Sequence, residues 1–125
     1  MDSVNNNNEE LPSDVALGNS FVKVYYLNIG QGDSEFVLLP NGKTMLIDAS
    51  TSKYGKEICS FIKNLGYNKI DYLVATHPHA DHIGGMNEVL NNFEIGTLYM
   101  PNAVTTTKTY EQFLSTIIEK NINVV

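Results

Sequence analysis

All three histidines of this 125-residue chain fall within the run His77-Pro78-His79-Ala80-Asp81-His82. Such a density of imidazole and carboxylate needs a rigid base and an open approach, and the flanking residues supply both. Ile70-Asp71-Tyr72-Leu73-Val74-Ala75-Thr76 reads as a buried strand, and Gly84-Gly85 opens into an amphipathic segment. The cluster is therefore expected on a strand-to-helix loop, where side chains converge from a fixed frame. Imidazole nitrogen and carboxylate oxygen are the usual zinc ligands, and imidazole also suits iron. His77 and His79, two residues apart, can reach one ion from the same side of the loop. Asp81 and His82 suit a neighbouring ion. A lone loop histidine is ordinarily a surface residue, but four such donors between an apolar strand and Gly-Gly have few purely structural uses.

Hydrophobic patterning places this loop in an α/β layered domain. Residues 21–28 alternate, with Phe21, Lys23, Tyr25 and Leu27 on one side and Val22, Val24 and Tyr26 on the other. Two apolar faces predict a strand covered on both sides. A second strand runs over residues 34–39. Pro40-Asn41-Gly42-Lys43 forms a hairpin turn, since Asn-Gly accepts positive φ, and a third strand returns over 44–48. Ile58, Phe61, Ile62 and Leu65 share one helical stripe, closed by Gly66 as a C-terminal cap. Met86, Val89, Leu90 and Phe93 repeat that spacing. Residues 95–100 form a strand stopped by Pro101. Tyr110, Phe113, Leu114, Ile117 and Ile118 mark a further helix, and residues 121–125 read as a strand just beginning.

Bulk properties narrow the function. One domain fits the length. Net charge is −6, from 8 basic and 14 acidic residues, which argues against a grip on nucleic acid by this segment alone. No stretch approaches a membrane span. The one cysteine, Cys59, excludes a disulfide framework and falls in the apolar register of a helix. Residues 1–20, with Asn5-Asn6-Asn7-Asn8-Glu9-Glu10, are read as a disordered leader or linker, and 21–125 as the folded domain. The leader lacks the basic start and apolar run of a signal peptide.

Thr76-His77-Pro78-His79-Ala80-Asp81-His82-Ile83-Gly84-Gly85 resembles the signature of the metallo-β-lactamase superfamily. Leu27-Asn28-Ile29-Gly30-Gln31-Gly32-Asp33-Ser34 is similar to a segment in the hydrolase domain of ComEC-type competence proteins. The resemblance implies an αββα sandwich, of which residues 21–125 are the N-terminal half. It also implies that His77 and His79 bind one divalent ion, zinc or manganese. Asp81 and His82 would bind the other, with Asp81 also serving catalysis. Asp48, closing a strand, would steady the histidine loop by hydrogen bonds. Gln31 and Asp33 are candidate site-lining residues, because the flanking glycines permit close backbone approach. Past His82 there is no further histidine, and the only acidic residues are Glu88, Glu94, Glu111 and Glu119. Each ion then has about two ligands, short of the three or four of a stable zinc site.

The expectation is a metal-dependent hydrolase of phosphodiesters, DNA or nucleotides, seen as an incomplete and inactive fragment with weak metal occupancy. The alternative is a non-catalytic binding or assembly module with a vestigial metal loop. A half-sandwich would expose apolar sheet surface, so self-association is expected. The Asn-rich leader resembles a linker after an export anchor, which favours an extracytoplasmic over a cytoplasmic location.

Overall fold

The structure, a computed structural model, describes residues 22–27, 33–102 and 105–125. The leader at 1–20, together with Phe21, Asn28, Gly30, Gln31 and Gly32, lies outside the described residues. Among the described residues, five strands form one sheet in the order β1-β2-β3-β4-β5. They are β1 (Lys23–Tyr26), β2 (Glu35–Leu38), β3 (Thr44–Ile47), β4 (Lys69–Val74) and β5 (Glu94–Tyr99). The first three pair antiparallel as a meander, and β4 and β5 add parallel. The turn at residues 40–43 forms, with Gly42 at φ 85° and the Asn41 carboxamide oxygen accepting from Lys43 N at 3.0 Å. Parallel addition needs helical crossovers. These are α1 (Gly55–Asn64) before β4, and α2 (Ala80–Ile83) and α3 (Met86–Asn92) before β5. The last helix is α4 (Lys108–Glu119).

Helix ends follow local chemistry. The Thr107 hydroxyl accepts from Tyr110 N at 3.2 Å and caps α4. Gly66 takes φ 100°, so Gly66 N–H reaches the Lys63 carbonyl and Tyr67 N–H the Ile62 carbonyl, a Schellman end for α1. Residues 121–125 extend the sheet by a single parallel bridge, Leu98 to Val124.

One row of paired residues crosses the sheet on its helix-covered face: Tyr25, Phe36, Leu46, Leu73 and Leu98. It packs with Ile58 and Ile62 of α1, Met86, Val89 and Leu90 of α3, and Tyr110, Phe113 and Ile117 of α4 in one core cluster. The result is one α layer on one β layer, the α/β half-sandwich that the sequence predicts.

Two expectations need correction. The strand at 21–28 was expected to be covered on both faces, yet Val22, Val24 and Tyr26 are 53%, 41% and 72% exposed. β1 is the edge strand, and the helices that build the core all do so through the cluster on the opposite face. Ile118 was placed with the apolar stripe of its helix but is 79% exposed. At about 100° per residue it lies a quarter-turn beyond Ile117, past the face that Tyr110, Phe113 and Ile117 bury.

Candidate metal centre

β3 and β4 are parallel neighbours, so the loops leaving their carboxyl ends emerge side by side, the usual place for a ligand site in such sheets. The first loop begins with Asp48 and the second with Ala75-Thr76-His77. Backbone bonds tie them together. Asp48 N–H donates to the Val74 carbonyl at 2.8 Å, Ala49 N–H to His82 at 2.7 Å and Gly85 N–H to Ala49 at 3.1 Å. Gly84 and Gly85 make this approach possible. A Cβ on Gly84 would lie 2.3 Å from Ser52 N, and one on Gly85 would lie 2.4 Å from the Ala49 carbonyl oxygen. Asp48 and Ser50 both take positive φ, 61° and 58°, bending the chain around buried Ala49.

The histidine run is not all loop. His79 is extended, and Ala80–Ile83 form a helical turn closed by His82 N–H and Ile83 N–H to the His79 carbonyl. Asp81 and His82 therefore ride on a helix. The sequence reading missed this turn because its four residues are too few for periodicity to register.

Asp48 is buried, with 3% of its surface exposed, and its carboxylate is the hub of the site. Oδ1 accepts from Thr76 N at 2.8 Å, while Oδ2 lies 2.5 Å from the Thr76 hydroxyl and 2.8 Å from His82 Nδ1. The Asp48 carbonyl accepts from the Ser34 hydroxyl at 2.9 Å. Asp33 belongs to the same knot. Its N–H donates to the Asp81 carbonyl at 3.3 Å, its carbonyl accepts from Ser50 N at 2.9 Å, and its Oδ2 is 3.8 Å from His82 Nδ1. Burial lowers the pKa of His82, but its hydrogen bond to Asp48 and the carboxylates of Asp48, Asp81 and Asp33 outweigh it, and the net shift is upward. Glu35, at the same end of the sheet, is pushed up by burial and then by Asp33 and Asp48.

His77, His79 and Asp81 are exposed at the rim, and His82 is the inner member. His77 and His79 stack with ring centroids 6.2 Å apart, and His77 approaches His82 at 4.6 Å. His82 Nε2 and Asp81 Oδ2 are 3.8 Å apart. Two ligands on one tetrahedral zinc lie roughly 3.4 Å apart, so this pair is nearly placed to share an ion. The donor chemistry fits a divalent cation. Among the described residues, however, no three His, Cys, Asp or Glu side chains converge to hold one. Thr76 is the residue to which sequence reasoning gave no role. Its signal was its place, between the apolar strand and the first histidine.

This sheet, with a histidine and aspartate cluster at the ends of parallel strands, defines the class. The chain belongs to the metallo-β-lactamase superfamily, whose sequence pattern matches residues 29–120. It is similar to the anti-Pycsar protein Apyc1 of Bacillus phage vB_BsuM-Goe3, with 36% identity over 86 residues, covering 66% of this chain and 29% of the phage protein. It is also similar to ComE operon protein 3 of Bacillus subtilis (strain 168), with 26% identity over 117 residues, covering 80% of this chain and 15% of that protein. Among solved structures, a Thermotoga maritima protein assigned to the metallo-β-lactamases superposes with a TM-score of 0.54 at 18% identity, covering 83% of this chain and 57% of that one. That likeness carries the fold alone. The chain spans less than a third of the length of the phage protein and of ComE operon protein 3.

Proposed function

We propose that this chain carries part of the active site of a metal-dependent hydrolase acting on phosphodiesters, of nucleic acid or of nucleotides. The carrying observation is that Asp33 packs against the histidine run. Asp33, from the Gly30–Ser34 segment that resembles ComEC-type hydrolases, bonds through its backbone to Asp81 and brings its carboxylate within 3.8 Å of His82. The pairing of that segment with the histidine run resembles the competence-type branch rather than lactam-cleaving enzymes.

His77, His79, Asp81 and His82 would hold two divalent ions, zinc or manganese. When bound, such ions supply Lewis acidity and lower the pKa of a coordinated water. The residues of the chain do the orienting. Asp48 keeps a proton on His82 Nδ1, which leaves Nε2 facing Asp81. The rim position of His77, His79 and Asp81 leaves them open to a ligand.

Four donors give each ion about two protein ligands, so hydrolysis needs further donors and these residues alone turn over little substrate. That shortage favours one second reading, a binding or assembly module with a vestigial metal loop. A substrate panel on the whole protein separates the two. It comprises a chromogenic phosphodiester, single-stranded DNA, a chromogenic lactam and a thioester, with His79→Ala and Asp81→Ala as controls. Phosphodiester turnover lost in both variants supports the proposal. Turnover of the lactam alone overturns the substrate class. No turnover at all, with a full ligand set bound, favours the module.

A further inference from the structure

Three groups meet around the Asp48 carboxylate, and counting their protons leaves one arrangement. A carboxylate only accepts hydrogen bonds. The contact between Asp48 Oδ2 and His82 Nδ1 at 2.8 Å therefore needs a proton on Nδ1 of His82. The contact between Oδ2 and the Thr76 hydroxyl at 2.5 Å needs the single hydroxyl proton of Thr76. With that proton committed, Thr76 Oγ1 has only lone pairs left for its other neighbour, His77 Nδ1, at 2.9 Å. His77 must then donate from Nδ1. The reverse orientation, with Thr76 donating to His77, would press two lone-pair oxygens together without a proton between them.

We infer that Thr76 is a positioning residue whose hydroxyl extends the hold of Asp48 from His82 to His77. Both rings are thereby fixed with the proton on Nδ1 and the lone pair on Nε2. One buried carboxylate orients two imidazoles, one directly and one through a hydroxyl. Thr76 is held for this task from its own backbone, since its N–H donates to Asp48 Oδ1 at 2.8 Å. The hydroxyl is thus placed by the same group that takes its proton. His79 makes no ring hydrogen bond among the described residues and has no comparable restraint.

The use of this device, presenting Nε2 of both rings to metal, rests on the metallohydrolase reading. The tautomers themselves do not, and they can be read without activity. The experiment is a long-range proton–nitrogen correlation spectrum of the metal-free chain with nitrogen-15 in its histidines, at an alkaline pH where the rings are neutral. His77 and His82 are expected with pyrrole-type Nδ1 and pyridine-type Nε2. His79 is expected with the Nε2–H preference of a free imidazole. In Thr76→Val, His77 moves to the His79 pattern while His82 stays. In Thr76→Ser, both keep Nδ1–H. A wild-type His77 protonated on Nε2 overturns the inference, as does a Thr76→Val protein whose His77 stays on Nδ1. If Thr76→Val does not fold, the wild-type spectrum with Thr76→Ser decides. A hydrolase assay that found no turnover would leave these results standing.

Discussion

Asp48 and His82 stand 34 positions apart in sequence, and their side chains meet at 2.8 Å between Oδ2 and Nδ1. They are brought together by the parallel pairing of β3 and β4 and by the backbone bond from Ala49 N to the His82 carbonyl at 2.7 Å. The side chain of Asp48 is 4% exposed and that of His82 is 16% exposed, so the pair is sheltered from solvent. Removing one partner leaves polar groups behind without acceptors.

Asp48→Ala is expected to destabilise the fold by about 1–3 kcal/mol, because Thr76 N–H and His82 Nδ1 lose their acceptor. The pKa of His82 falls in the variant, since burial lowers it and the bond and charge that raise it are gone. The sign for the wild type follows. A histidine raised in the folded state adds stability that is fully present below its unfolded value near 6.5 and is lost as pH rises through the higher folded value. Denaturant melts at several pH values, with a titration of the His82 ring, check both. A wild-type stability that does not fall across that window contradicts the coupling.

Gly85→Ala should cost about 1–3 kcal/mol by overpacking, since the new methyl would lie 2.4 Å from the Ala49 carbonyl oxygen and 2.9 Å from Gly55 Cα. Both are backbone atoms, so no flexible side chain can give way. Gly42→Ala, at φ 85° with open space around it, should cost less and through backbone strain alone. Equilibrium unfolding of the two variants compares close packing with strain directly.

Cys59 should resist alkylation. The residue is 6% exposed, and burial, followed by the charge of Glu88, pushes the pKa of its thiol up to about 11. The thiolate is the reactive form, so it is scarce at pH 8. Iodoacetamide should label the native chain slowly and the denatured chain at the rate of a free thiol. Equal rates would place Cys59 at the surface.

Much of this was legible in sequence, where one periodicity governed a stretch long enough to register. The stripes Ile58-Phe61-Ile62 and Met86-Val89-Leu90 became α1 and α3, and Asn41-Gly42 became the hairpin. Val24 and Tyr26 lie on the sheet face away from the helices, the apolar surface that a half-sandwich is expected to leave open; that β1 is also an edge strand is set by strand order, which local pattern does not show. For the site, residue types pointed to His77, His79, Asp81 and His82. Spacing alone could not say that Asp81 and His82 sit on a helical turn, or that Thr76 bridges Asp48 and His77. The turn is too short for periodicity to register, and the bridge depends on the Thr76–Asp48 contact across 28 positions of sequence, where no local signal reaches.

A zinc titration of the nitrogen-15-labelled chain tests most directly whether the histidine run is the metal locus. The ring signals of His77, His79 and His82 should shift or broaden together, weakly and before any others, with the response reduced in Asp81→Ala. If those rings stay unchanged while zinc perturbs residues elsewhere, the metal centre does not lie at the histidine run.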